Sequence, residues 1–239
     1  MNARCDILGV PFDAVTPEEA VRKALTLMET GGVVVTPNPE IVWGCRTDPA
    51  VMEAVASADL ILADGIGIIK AAKKLGRELP CRVTGADWFS AMLAACAENG
   101  KRVFFLGGKP GVAEKAAENC PNVNVCGTHD GYFKGDTLVL QLIKDAKPDF
   151  LAVCLGTPKQ ELWMKRNREA LSGILMAGLG GSLDVLAGTV KRAPKWIQTI
   201  GMEWLYRALR QPSRIKRLFV IPKFQRAVRK QKKQEKKHG

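Results

Sequence analysis

The 239-residue chain predicts an α/β layered domain with a largely parallel central sheet, followed by a basic, amphipathic helical appendage. Three observations carry this. Up to about residue 190 the chain repeats a short β-rich apolar run, a Gly/Pro/Asn/Asp turn and a longer Ala-rich segment at helical spacing. Most of the apolar runs are continuous rather than alternating, as strands covered by helices on both faces require. Finally, the charge changes character near Lys191. From there to Gly239 stand 16 Lys/Arg against 2 Asp/Glu, whereas the preceding body holds 20 basic and 22 acidic residues.

Taken in order, strands are expected at "VVVTP" from Val33, "LILAD" from Leu60, "RVFFLGG" from Arg102, "NVNVCG" from Asn122, "DFLAVCLG" from Asp149 and "GILMAGLGG" from Gly173. Helices are expected over Thr16 to Thr30, Pro49 to Ser57, Ile66 to Leu75, Ala86 to Asn99, Gly111 to Asn119, Asp136 to Ala146 and Lys159 to Ala170. This alternation is Rossmann-like, and residues 1–190 read as one domain. In such sheets ligands bind beyond the strand C-terminal ends, so the turns there are where chemistry is sought.

Residues 191–239 read differently. Trp196, Trp204, Tyr206, Leu209, Ile215, Leu218, Phe219, Ile221 and Phe224 alternate with Arg and Lys, and Pro212 and Pro222 interrupt them. This predicts two or three short amphipathic helices. No apolar residue follows Val228, so about 229–239 is expected to be disordered.

Seven cysteines without a C-x-x-C pair, and only two histidines, exclude a zinc framework. Without a signal peptide they fit small core residues in a reducing cytosol. The run "GILMAGLGGSL" is about half of the roughly 20 residues of a spanning helix, so membrane contact is expected to be peripheral.

The turn Thr36-Pro37-Asn38-Pro39-Glu40 is stiffened by two prolines, and the Thr36 hydroxyl and Asn38 amide can project from it. Its plain alternative is a rigid turn that starts a helix with Glu40 in the first turn. Ala63-Asp64-Gly65-Ile66-Gly67 places a carboxylate at the end of a buried strand between small residues. Such a group serves as a general base where its surroundings raise its pKa; otherwise Asp64 caps the next helix. "PCRVTGADW" sets Arg82, Thr84 and Asp87 before a helix, where a guanidinium can clamp a diphosphate beside helix N-terminal amides, or simply face solvent.

Three further turns are glycine-rich: "FLGGKPG" with Gly107 and Gly108, "GTHDGYF" with Asp130, Gly131 and Tyr132, and "CLGTPKQELW" with Gly156, Lys159, Gln160 and Glu161. Glycines after strands let backbone amides reach phosphate oxygens, although tight corners use them too. With Gly65 and Asp184 these form the expected substrate-binding set.

Several chemistries lack their signatures. The G-x-G-x-x run at Gly65 has Lys70 where a dinucleotide fingerprint needs its third glycine, which disfavours a Rossmann oxidoreductase. There is no Walker motif, no G-x-S-x-G elbow, and no Asp-x-Asp to hold a divalent ion against a sugar nucleotide. His129 beside Asp130 ranks behind Asp64 as a base. The basic tail also suits a nucleic-acid-binding protein, but the near-neutral body offers no basic groove.

Seven segments in order, "TPNPEIV", "ADGIGI", "RVTGADW", "FFLGG", "DGYF", "LGTPKQELW" and "GLGGSLDVLAGTVKRAPKW", resemble the WecG/TagA/CpsF family of glycosyltransferases over roughly Cys5 to Arg210. Within it the chain looks most like the TagA type, which transfers N-acetylmannosamine to undecaprenyl-diphosphate-linked GlcNAc for wall teichoic acid. Capsule or common-antigen transferases of the same family are the alternative. The resemblance implies an inverting, metal-independent reaction without a cofactor, between a UDP-N-acetylhexosamine and a polyprenyl-diphosphate-sugar. It implies Asp64 as the base, Thr36 and Asn38 beside it, Arg82 on the leaving UDP, and Gln160 at the donor or the reacting groups. It further implies a cytoplasmic enzyme held on the anionic inner membrane face by its tail, with Arg207, Arg210, Arg214 and Arg217 meeting the lipid diphosphate. Exchange between monomer and homo-oligomer belongs to the same expectation.

Overall fold

The computed structural model describes residues 4–194, 197, 203, 205, 206 and 219–238. The chain opens with an antiparallel hairpin, β1 (Arg4–Ile7) and β2 (Val10–Asp13). Next come α1 (Pro17–Met28), β3 (Gly32–Val35), α2 (Pro39–Thr47), α3 (Pro49–Ala56), β4 (Leu60–Ile61), α4 (Ile66–Leu75) and α5 (Gly85–Glu98). The second half runs through β5 (Arg102–Gly107), α6 (Val112–Glu118), β6 (Asn124–His129), α7 (Thr137–Ala146), β7 (Phe150–Cys154), α8 (Lys159–Arg166), β8 (Leu175–Gly178) and α9 (Ser182–Leu186). A final helix, α10, spans Val220–His238.

Six strands form one parallel sheet in the order β4-β3-β8-β7-β5-β6. All six expected strand runs are present in it, and the α/β class holds. Period-two alternation sorts the sheet's side chains into two cores. Val33, Val35, Phe104, Leu106, Leu151 and Val153 face one layer together with Trp163, Phe224 and Val228. Val34, Val103, Phe105, Phe150 and Ala152 face the other, against Trp88, Phe89 and Met92 of α5.

Local chemistry fixes the helix starts. Thr16 and Glu19 form a reciprocal capping box at α1, with Pro17 in its first turn, and Ala20, Ala24 and Met28 recur on its buried face. Asn38, Asp48 and Thr84 cap α2, α3 and α5 through their side chains. At the sheet edge Asp13 is buried and its Oδ2 accepts from the Ile61 amide at 2.9 Å, so a carboxylate satisfies a donor that a further strand would otherwise take.

The hairpin and α9 were not among the elements expected, α2 was expected only as the plain alternative for its turn, and α10 is one long helix where short amphipathic ones were expected. The largest departure is at the C-terminal end, where α10 is helical through His238 across most of the segment expected to be disordered. Its first turns bury Phe224 and Val228 against the body. Beyond Val228, polar contacts replace apolar burial. The Gln231 side chain accepts from the Leu8 amide at 3.0 Å and donates to Asp6 at 3.1 Å, while Arg77 bridges Asp6 (3.2 Å) and Glu235 (2.6 Å). Lys, Gln, Arg and Glu are good helix formers, so a helix nucleated at Phe224 propagates through them.

Candidate functional site

The turns after the neighbouring strands β3 and β4 and the N-terminal turn of α5 lie against one another. After β3, Thr36 is buried and its hydroxyl donates to the Gly178 carbonyl of β8 at 3.3 Å. Asn38 Oδ1 accepts from the amides of Glu40 (2.9 Å) and Ile41 (3.1 Å), so the structural alternative, a stiff turn that starts a helix, is realised and the amide oxygen is engaged as a cap. After β4 comes Asp64. It does not cap α4, whose first turn follows Gly65 at φ +89° with no side-chain cap. Instead Asp64 Oδ2 faces the N-terminus of α5 and accepts from Gly85 N at 3.5 Å.

Close packing accounts for the small residues in these turns. A Cβ on Gly67 would stand 2.7 Å from Pro39 Cγ, and one on Gly85 would stand 3.0 Å from Thr36 Oγ1. The glycines therefore let the three turns meet and carry Thr36, Asn38 and Asp64 to one place.

That place is a cavity of about 620 Å³, within the usual range for a small-molecule site. Its lining includes Thr36, Asn38, Asp64, Gly65, Arg82, Gly156 and Gln160 among the expected residues. Gln160 is 2% exposed, accepts from the Gly180 amide at 2.9 Å and donates to Glu161 Oε1 at 2.9 Å, which ties the loops after β7 and β8 together. Glu161 is equally buried. Its Oε1 also accepts from Thr157 at 3.1 Å, and its Oε2 has no hydrogen-bond partner among the described residues. Burial pushes the Glu161 carboxyl above its ordinary value, outweighing the hydrogen bond from Gln160.

The remaining expected residues lie outside that lining. Gly107 ends β5 and Gly108 follows it; a Cβ on Gly107 would collide with the Cys154 carbonyl, so the adjoining strand by itself demands glycine there. Gly131 N donates to Gly108 O at 2.9 Å, and Lys159 Nζ donates to Gly131 O at 2.8 Å while lying 5.0 Å from the Phe133 ring centre. Asp130 Oδ1 accepts from Tyr132 N at 2.7 Å, and the Tyr132 side chain is open to solvent at 69% exposure. Asp184 sits in α9, where its carbonyl accepts from Val190 N and Thr189 Oγ1. His129 packs its ring edgewise on Phe133, a structural role. Arg207, Arg210, Arg214 and Arg217 lie outside the described residues.

Sequence reasoning did not single out the residues of the cavity's remaining wall. Lys70, Ala71 and Lys74 of α4 and Ile221, Phe224, Val228 and Arg229 of α10 complete it. The signal was present in the spacing of Ile221, Phe224 and Val228, which is i, i+3, i+7 on a helix.

The family model for "Glycosyl transferase WecG/TagA/CpsF family" matches residues 5–238, nearly the whole chain. The chain belongs to the WecG/TagA/CpsF family of glycosyl transferases. This family member is similar to several curated relatives. It is 37% identical to the N-acetylglucosaminyldiphosphoundecaprenol N-acetyl-beta-D-mannosaminyltransferase of Bacillus subtilis (strain 168) over 210 residues, covering 86% of this chain and 82% of the relative. The protein of the same name from Staphylococcus aureus (strain MW2) is 37% identical over 245 residues, covering 99% of this chain and 96% of that one. Sequence and comparison agree on a glycosyltransferase. Among the described residues no helix is long and apolar enough to cross a membrane.

Proposed function

We propose that this transferase moves N-acetylmannosamine from UDP-ManNAc to undecaprenyl-diphosphate-linked GlcNAc, as in assembly of the wall teichoic acid linkage unit. Near full-length similarity to proteins named as N-acetylmannosaminyltransferases of N-acetylglucosaminyldiphosphoundecaprenol is the observation that carries the reading. The proposed chemistry is one inverting displacement at the anomeric carbon. It needs a base on the acceptor hydroxyl, an in-line acceptor and stabilisation of the departing diphosphate. Asp64 is the proposed base, since its carboxylate lines the cavity and faces the N-terminus of α5 where the three turns meet. Thr36 and Asn38 border it. Arg82, in the same lining, is the proposed partner of the leaving UDP. Gln160, held by Gly180 and Glu161, keeps the β7 and β8 loops in register beside the reacting groups. Lack of an Asp-x-Asp sequence supports a diphosphate neutralised by cations of the protein. The proposed location is the cytoplasmic face of the membrane, with the basic C-terminal region on anionic lipid.

UDP release from UDP-ManNAc with a lipid-diphosphate-GlcNAc acceptor in EDTA tests this. Acceptor-dependent turnover that survives EDTA and falls at least a hundredfold in Asp64→Asn is expected. Undiminished turnover in the variant moves the base elsewhere. Turnover only with another UDP-hexosamine assigns the chain to a different branch of the family.

A further inference from the structure

We infer that Lys70 and Lys74 of α4, together with Arg229 of α10, hold the diphosphate of a lipid-linked acceptor at the mouth of the cavity. The inference rests on the lipid-diphosphate reading above and adds the place where the lipid end sits.

Lys70 and Lys74 are one helical turn apart, so both stand on the same face of α4. They line the cavity and are exposed, and no side-chain hydrogen bond or ion pair among the described residues engages either of them or Arg229. Several arginines of the body are committed instead to carboxylates: Arg77 to Asp6 and Glu235, Arg168 to Asp59, and Arg192 to Asp87 and Glu203. Three unengaged cations bordering one cavity form a site for an anion of more than one charge.

The wall beside them is apolar. Ala71 of α4 and Ile221, Phe224 and Val228 of α10 line the same space, with Phe224 and Val228 buried beneath it. A nucleotide would meet hydrocarbon there with its polar ribose and base. A diphosphate carried on a hydrocarbon chain matches both parts, with its oxygens on the cations and its first hydrocarbon units along the wall. Asp64 lines the same cavity, so an acceptor sugar attached to the diphosphate would share that space with the carboxylate.

Two measurements on the full chain decide the matter. In the first, the affinity of farnesyl diphosphate is compared with those of farnesol and inorganic diphosphate, for wild type and the double variant Lys70→Glu/Lys74→Glu. Wild type is expected to prefer farnesyl diphosphate to either fragment, and the double variant to lose at least tenfold. Equal affinity for inorganic diphosphate would remove the apolar wall from the inference, and unchanged binding in the variant would overturn it. This readout needs no sugar and stands even if the proposed donor is wrong. The second is steady-state transfer with a short-chain acceptor in detergent. The double variant should raise KM for the acceptor at least tenfold and leave KM for the UDP-sugar within about twofold. A rise confined to the donor KM would overturn the assignment. So would an equal acceptor effect from Lys233→Glu/Lys236→Glu, two exposed lysines of α10 away from the cavity, because that would be general attraction to lipid.

Discussion

Glu161 is a carboxyl enclosed in protein, with one oxygen satisfied by Thr157 and Gln160 and the other without a partner. Burial raises its pKa from the ordinary 4.5, so the folded chain keeps a proton that the unfolded chain releases. The stability linked to this group is therefore full below about pH 4.5 and is lost as pH rises through the raised value. Glu161→Gln keeps an oxygen for Thr157 and Gln160 and removes the charge. Its Tm should equal or exceed that of wild type at neutral pH, with the difference closing as pH falls toward 4.5, as followed by thermal melts across pH. A Tm well below wild type at neutral pH would show that the ionised form is needed. At this scale the sequence was informative about position and less so about role. Thr36, Asn38, Asp64, Arg82 and Gln160 stood out from their turns and do share one cavity, but Asn38 also caps a helix and Gln160 also ties two loops, which no residue type announces.

Among the elements, α10 joins the body through two kinds of contact, apolar at Phe224 and Val228 and polar at Gln231 and Glu235. Gln231→Ala leaves the Leu8 amide without its acceptor and should loosen the helix by about 1 kcal/mol. Hydrogen exchange should speed up across 220–238 in this variant and in Arg77→Ala, while β5, β7 and β8 keep their protection. Uniform exchange throughout would mean that the helix and the sheet open together. The six strands were legible because each is a continuous apolar run between turn residues. The hairpin was not, since its four-residue strands carry Asp6, Pro11 and Asp13 and depend on distant partners. The C-terminal helix was misread for the same reason: its polar half is fastened by Asp6, Leu8 and Arg77, more than 150 residues away in sequence.

Across the whole molecule, two apolar layers enclose the sheet and take up the cysteines. All seven are free, and burial pushes the Cys45, Cys96 and Cys154 thiols up to about 12. A thiol reagent at pH 8 should leave these three unmodified in the folded protein and label all seven in urea, as counted by mass. Rapid labelling of Cys154 in the native state would contradict the packing of β7 on α9. Composition suggested this use of cysteine from the absence of paired spacing, and charge asymmetry marked where the body gives way to the basic region. Neither could show that the last helix folds back onto α2 and α4.

That return of α10 bears on how the enzyme is made. Every strand of the sheet, and the turn bearing Asp64, is translated before residue 220, whereas one wall of the cavity comes from residues translated after it. Domains fold progressively as the chain emerges, so a nascent molecule can complete its sheet while the cavity is still open along one side. The mouth is shaped after the sheet, and its closure joins a late-made helix to a hairpin made some 200 residues before it.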